Sequence, residues 1–298
     1  PRKIYIAGCG GMLGEAFYRQ FKDNYILKCT DKDVNDDWLS FLDFRDFEAY
    51  EEDVRLFNPS YLFHLGAFTD LEYCELNQDE TYRNNTLAVE NAVFIANKLD
   101  IPILYISTAG IFDGKKKLYD DWDLPNPLGT YARSKYMGER YVVEHANRYL
   151  VCRAGWMMGA GPKKDKKFIK KIMDQLKAGN KELFIIEKEG TPTYTQDFAK
   201  NVKALLEKEY WGLYNMVCSG ATSRLEVTQE MLKILGLENE VKVTLVNKEY
   251  WEKEYFAARP DCERLDNKKL RLRGLNLMRD WKEALKEYLE TYYMDYLK

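Results

Sequence analysis

The chain is predicted to fold as an α/β protein, with a doubly wound parallel sheet and a smaller C-terminal α+β lobe. Three observations carry this. Short apolar, β-branched runs alternate with helix-length stretches through the first 155 residues. Three spaced glycines lie between the first strand and the first helix. After Gly159 the strand–helix alternation falters, so a second lobe of different build is expected.

The first strand is Lys3 to Ala7 (KIYIA), followed by Gly8-Cys9-Gly10-Gly11-Met12-Leu13-Gly14 and a helical run from Glu15 to about Lys22. Glycines at 8, 11 and 14 let the backbone approach a pyrophosphate closely. The helix start, at Met12 and Leu13, offers free N–H groups and a partial positive charge. A strand from Tyr25 to Thr30 ends at Asp31, 23 residues beyond Gly8. A carboxylate there accepts hydrogen bonds from adenosine ribose hydroxyls and repels a 2′-phosphate. The cofactor expected is therefore NAD(H) or NADP(H), with NAD(H) favoured by Asp31 and NADP(H) kept open by Lys32. Asp43 and Phe44 are candidates for a carboxylate and a ring near the adenine.

Asn58-Pro59 breaks a helix, and Tyr61 to Leu65 reads as the fourth strand, running into Gly66-Ala67-Phe68-Thr69. Leu65, Gly66 and Ala67 are candidate cofactor contacts, because small residues let the backbone lie against it. Thr69 is a candidate substrate contact. His64, inside the strand, reads as structural. The next helix, Gln78 to Lys98, carries Asn85, expected to hold helix or water in place.

Ile101 to Ile106 delivers Ser107-Thr108 at the carboxyl edge of the sheet, where ligands bind in such folds. Pro125, Pro127 and Gly129 delay the next helix, which carries Tyr131 and Lys135. Residues four apart share a helix face. Thr108, Tyr131 and Lys135 together suit proton transfer to or from a carbonyl or alcohol oxygen, with Tyr131 and Lys135 also against the cofactor. Free tyrosine has a pKa of about 10, and a lysine ammonium one turn away is expected to lower it.

A strand from Leu150 to Arg153 follows. The run from Lys163 to Lys171 (KKDKKFIKK) reads by default as a solvated helix face, with contact to a phosphorylated substrate as the alternative. Residues 191–218 add a helix and one more strand to the first domain. The expected division is 1–155 plus 191–218 for the dinucleotide-binding domain, and 156–190 plus 219–298 for the substrate lobe.

Bulk properties narrow the function. The 298 residues are 46% hydrophobic and 31% charged, with a formal net charge of −3, which gives no electrostatic case for nucleic acid or membrane binding. Six cysteines lie far apart without a C-x-x-C pair, and there are two histidines. Reduced thiols in the cytoplasm are expected, and no metal site. A homodimer is compatible with the sequence.

These residues resemble the extended short-chain dehydrogenase/reductase family, and within it the dTDP-4-dehydrorhamnose reductase branch. The likeness runs through the glycine loop, STAGIFDG at 107–114, Y-x-x-x-K at 131–135, R-x-x-W at 153–156, GTPTYTQDFA at 190–199 and ARPDCERLDNKKL at 258–270. It implies a Rossmann-type fold and reduction of the 4-keto group of a nucleotide-linked 4-keto-6-deoxy sugar. Thr108, Ala109, Trp156 and Arg259 would face the substrate. The branch usually has an aspartate and an aromatic residue where this chain has Ala109 and Gly110, and a serine where it has Glu263. The alternatives are a reductase or epimerase/reductase of another UDP-, GDP- or CDP-linked ketosugar, and a non-catalytic dinucleotide-binding subunit resembling the regulatory subunit of methionine adenosyltransferase.

Overall fold

Seven parallel strands form the central sheet of the computed structural model, which describes all residues Pro1–Lys298. The first part of the chain supplies β1 (Lys3–Ala7), α1 (Met12–Phe21), β2 (Ile26–Asp31), β3 (Leu39–Phe41), α2 (Phe47–Phe57) and β4 (Tyr61–His64). Then come α3 (Leu71–Leu76), α4 (Gln78–Tyr82), α5 (Ala88–Lys98), β5 (Ile103–Thr108), α6 (Thr130–His145) and β6 (Tyr149–Ala154). The chain continues through β7 (Trp156–Met158), α7 (Phe168–Lys177), β8 (Glu182–Ile186), β9 (Glu189–Gly190), β10 (Pro192–Tyr194), α8 (Thr195–Lys208) and β11 (Gly212–Asn215). It ends with β12 (Thr222–Ser223), α9 (Arg224–Leu235), β13 (Lys242–Val246), α10 (Lys268–Leu272) and α11 (Trp281–Tyr292).

The sheet order is β11-β6-β5-β4-β1-β2-β3, so the chain starts inside the sheet beside the central β4, and the strand order reverses between β1 and β4. In an open sheet of this kind the crevice at that reversal is where ligands bind. Alternation along each strand builds two cores. Ile4, Ile6 and Phe63 pack with Phe17 of α1 and Phe198 of α8, whereas Tyr5, Ala7 and Leu62 pack with Val54 of α2, Val93 of α5 and Val142 of α6. Both faces of the sheet are thus covered by helices, which is why the inner strands β1, β4, β5 and β6 are buried almost along their whole length rather than alternating. The expected α/β architecture is the one observed.

A third core lies outside the sheet. It joins Ile169, Ile172 and Met173 of α7, Leu183 and Ile185 of β8, Val227 and Met231 of α9, and Trp281, Leu285 and Tyr288 of α11. The parallel pair β8–β13 covers one side of it. Residues 192–194 lie where the chain is returning to the first domain, yet β10 pairs with β7 rather than with the large sheet. Tyr194 packs in the third core. The return to the large sheet is made by α8 and β11.

The long helix expected over 78–98 is interrupted by a π turn at Arg83–Leu87. Such turns are rare and re-aim side chains. The six cysteines are buried and free. No helix is long and apolar enough to cross a membrane.

Candidate active site

A cleft of about 1750 Å³ runs between the carboxyl edge of the large sheet and the second lobe. That exceeds the roughly 300–1,000 Å³ of a single small-molecule site, leaving room for two ligands side by side. One end is lined by the glycine loop, Asp31, Asp43 and Phe44. The middle is lined by Leu65 to Thr69, Thr108, Ala109, Tyr131 and Lys135, and the far wall by Trp156, the 163–171 segment, Arg224 and residues 254–260 with Glu263.

At the first end, Gly8 has φ +74°, and a Cβ there would stand 2.3 Å from the Gly66 nitrogen. Only glycine allows β1 and β4 to finish side by side. A Cβ on Gly11 would meet nothing within 4 Å, so the backbone lies open to the cleft at that point. The N-terminal N–H groups of α1, on Met12 and Leu13, receive no side-chain cap. Free donors on an open backbone, at the positive end of a helix, fit a pyrophosphate. Asp31 ends β2 and accepts from Gly10 N (2.9 Å) and Asp33 N (2.9 Å), which orients its carboxylate at the cleft rim. Asp43 is gripped by Arg45, whose side chain holds the carboxyl below its usual range. Phe44 packs edge-on to His64 at 4.7 Å.

His64 is buried and its Nδ1 is 2.9 Å from the Tyr50 hydroxyl, with burial pushing its pKa down to about 3. It stays neutral and structural.

Gly8→Ala introduces the left-handed penalty of roughly 1–2 kcal/mol together with the backbone clash. We expect a clearly lowered melting temperature and at least a tenfold weaker dinucleotide affinity by isothermal calorimetry. Wild-type values for both would contradict this account of the loop.

In the middle, three anchors set the start of α6. Gly129 offers no side-chain cap; instead Glu75 of α3 accepts from Thr130 N (2.6 Å) and Thr130 Oγ1 (3.0 Å). Asn85, buried in the π turn, accepts from Phe68 N (2.8 Å) and donates to Phe68 O (3.1 Å) and Ser134 Oγ (3.2 Å). Ser134 Oγ in turn donates to the Tyr131 carbonyl at 2.7 Å. The loop carrying Thr69 and the helix carrying Tyr131 are thereby locked to each other.

The expectation that Lys135 lowers the Tyr131 pKa is corrected here. Burial raises the Tyr131 phenol well above its usual range, the neighbouring Thr108 hydroxyl opposing and Glu263 reinforcing the rise. Lys135 is itself buried, donates to the Ile106 carbonyl at 2.7 Å and lies 4.6 Å over the Tyr105 ring. Desolvation pushes its pKa from 10.5 down to about 7. Loss of hydration outweighs the helix-face proximity read from the spacing.

In the folded protein without cofactor, Lys135 binds fewer protons than in the unfolded chain between pH 7 and 10.5. The cost of burying its charge is full below that window and disappears as pH rises through it. The difference in melting temperature between wild type and Lys135→Met is expected to grow in favour of wild type from pH 7 to pH 10.5. A flat difference would contradict the buried ammonium.

The far wall departs most from the sequence reading. The helix expected through the basic run begins only at Phe168. Lys164 is buried, pairs with Asp36 at 2.6 Å and lies over the Trp38 ring at 4.8 Å. Lys167 lines the cleft with its ammonium pKa held below the usual value by burial. The default reading of this run as a solvated helix face is therefore corrected. Arg259 also lines the cleft, but its Nη2 is bonded to Glu72 at 2.7 Å, tying residues 257–260 to α3. Glu263 accepts from Trp156 Nε1 at 2.9 Å and abuts Gly110, so the departures at 110 and 263 meet in space. Glu75, Arg224 and Glu263 were not among the sequence candidates. Their roles depend on contacts with residues far away in the chain.

Comparison with known proteins agrees with this geometry. The family model described as RmlD substrate binding domain matches residues 2–294. The spore coat polysaccharide biosynthesis protein SpsK of Bacillus subtilis is 27% identical over 97% of this chain and 97% of its own. A crystal structure of a dTDP-4-dehydrorhamnose reductase from Clostridium acetobutylicum superposes with a TM-score of 0.87 at 30% identity, covering 97% of this chain and 99% of that one. The dTDP-4-dehydrorhamnose reductase of Bacillus anthracis, in complex with NADP, gives 0.87 at 26% identity, covering 98% and 99%. By a match that spans nearly its whole length, the chain belongs to the RmlD substrate binding domain family, within the extended short-chain dehydrogenases/reductases.

Proposed function

We propose that this protein is an NAD(P)H-dependent reductase of the 4-keto group of a nucleotide-linked 4-keto-6-deoxy sugar, with dTDP-4-dehydrorhamnose the leading substrate and polysaccharide precursor synthesis the setting. The observation that carries this is the convergence of Thr108, Tyr131 and Lys135 in the same cleft as an open glycine loop and a free helix start.

Gly8, Gly11, Met12, Leu13 and Gly14 hold the dinucleotide pyrophosphate. Asp31, Asp43 and Phe44 hold the adenosine, and Leu65, Gly66 and Ala67 lie along the centre. Bound NADH or NADPH supplies the hydride. Tyr131, kept protonated by burial, donates its phenolic proton to the carbonyl oxygen as that oxygen gains charge. The Thr108 hydroxyl hydrogen-bonds the same oxygen and then supports the phenolate left on Tyr131. Lys135 Nζ also steadies the nicotinamide ribose. Residues 156–190 and 219–298 serve as the substrate lobe, with Thr69, Ala109, Trp156 and Arg259 around the sugar nucleotide. Lys167 and its neighbours face the phosphates, where cationic side chains match a diphosphate.

Incubating the protein with NADH or NADPH and a panel of dTDP-, UDP-, GDP- and CDP-linked 4-keto-6-deoxy sugars, while following cofactor absorbance, tests the reading. Oxidation with the dTDP sugar is expected. Oxidation with another base alone would move the substrate, and none with any sugar would sink the reductase assignment.

A further inference from the structure

Glu263 and Arg224 face the cleft with hydrogen-bonding capacity that the protein leaves unused. Glu263 is fixed through Oε2, which accepts from Trp156 Nε1 at 2.9 Å, while Oε1 receives no hydrogen bond from the chain. The guanidinium of Arg224 lies over two rings, 3.9 Å from the centroid of Trp156 and 4.3 Å from that of Phe168. These cation–π contacts hold it in place, yet it forms no ion pair and no protein acceptor meets its N–H groups. Trp156 is thus shared, bonded to the carboxylate at its edge and in contact with the guanidinium at its face.

The location of Oε1 decides what it can read. A Cβ at Gly110 would lie 3.3 Å from Glu263 Oε1 and 3.4 Å from Thr108 Oγ1, so both oxygens border the same small space. Any larger residue at 110 would press on the carboxylate. Thr108 belongs to the carbonyl oxygen, so Glu263 serves the ring position next to the carbonyl carbon. In a 4-keto-6-deoxy hexose one neighbour of that carbon bears a hydroxyl and the other a methyl. A hydroxyl donates one hydrogen bond and accepts others, which suits a free carboxylate oxygen beside a free guanidinium. An ammonium would satisfy Glu263 but meet the Arg224 charge, and a methyl would leave both unpaired.

On the reductase reading above, we propose that Glu263 and Arg224 form a specificity subsite that recognises the hydroxyl vicinal to the ketone. The hydroxyl donates to Glu263 Oε1 and accepts from Arg224, and Trp156 keeps the two groups in place.

The test compares kcat/KM for the parent 4-keto-6-deoxy sugar nucleotide and its 3-deoxy analogue in wild type, Glu263→Ser, Glu263→Gln and Arg224→Lys. A site built to bond a hydroxyl rejects the analogue lacking it strongly, so wild type is expected to prefer the parent by roughly 100-fold or more. In the variants this ratio falls at least tenfold, while dinucleotide affinity measured by fluorescence is retained. Glu263→Gln keeps an acceptor for Trp156 and decides the matter if the serine variant does not fold. Equal turnover of both sugars by wild type, or variants that keep the wild-type ratio, would overturn the subsite while leaving the reductase standing. A wild-type protein that oxidises neither cofactor with any ketosugar would overturn both.

Discussion

Tyr131→Phe is expected to lower kcat by roughly 10³-fold, with dinucleotide affinity within about twofold of wild type. The substitution removes one hydroxyl and leaves the ring in place. The anchors of the helix start, through Glu75, Asn85 and Ser134, act on Thr130, on the Ser134 hydroxyl and on the Tyr131 carbonyl, and do not involve the phenol. What is lost is the proton donor at the carbonyl oxygen; Thr108 still offers a hydrogen bond but has no comparable acidity. Because burial holds the phenol protonated well beyond neutrality, wild-type turnover should not fall at moderately alkaline pH for want of that proton. Single-turnover measurements at saturating ketosugar read the chemical step directly. A phenylalanine variant as active as wild type would remove Tyr131 from the mechanism.

How much of this was legible in the sequence follows from the range of the interactions. The sheet was readable because parallel strands covered on both faces carry near-continuous apolar runs, as in Ile4–Ala7 and Ile103–Ile106. The glycine loop and the Tyr131–Lys135 pair were readable because each is a local pattern. The charge states of that pair were not, since the loss of water around Lys135 depends on β5 and Tyr105, and spacing carries no information about hydration. Nor was the cap on α6, supplied by Glu75 from 55 residues away. The basic run misled for the same reason. Its composition suggests a solvated face, but Asp36 and Trp38, from the loop after β2, bury Lys164. Glu263 could be seen as a departure, but not as the neighbour of Gly110, because that adjacency exists only after the second lobe folds onto the first.

The largest stability effect is expected at Glu139. Its carboxylate takes both Nε (2.8 Å) and Nη2 (2.9 Å) of Arg153, and the two side chains are only 4% and 3% exposed. Arg153 also lies over the Phe112 ring at 5.3 Å. Glu139→Ala leaves a guanidinium without its counter-charge in a place water does not reach, a loss of about 3–5 kcal/mol. For a chain of this size that corresponds to a melting temperature lower by roughly 5–8 °C. Replacing both partners with apolar residues, Glu139→Leu with Arg153→Met, removes the charge as well as its partner and is expected to recover most of the loss. Glu139 has a second effect, because it raises the Lys135 pKa against the pull of burial. Without it the Lys135 pKa falls further, so the double variant should regain its melting temperature yet retain an acid-shifted Lys135 titration. Calorimetric melts combined with NMR titration of the lysine separate the two. If the double variant restored both, Glu139 would matter to the site only through stability; if it restored neither, the cost would lie in packing rather than in the uncompensated charge.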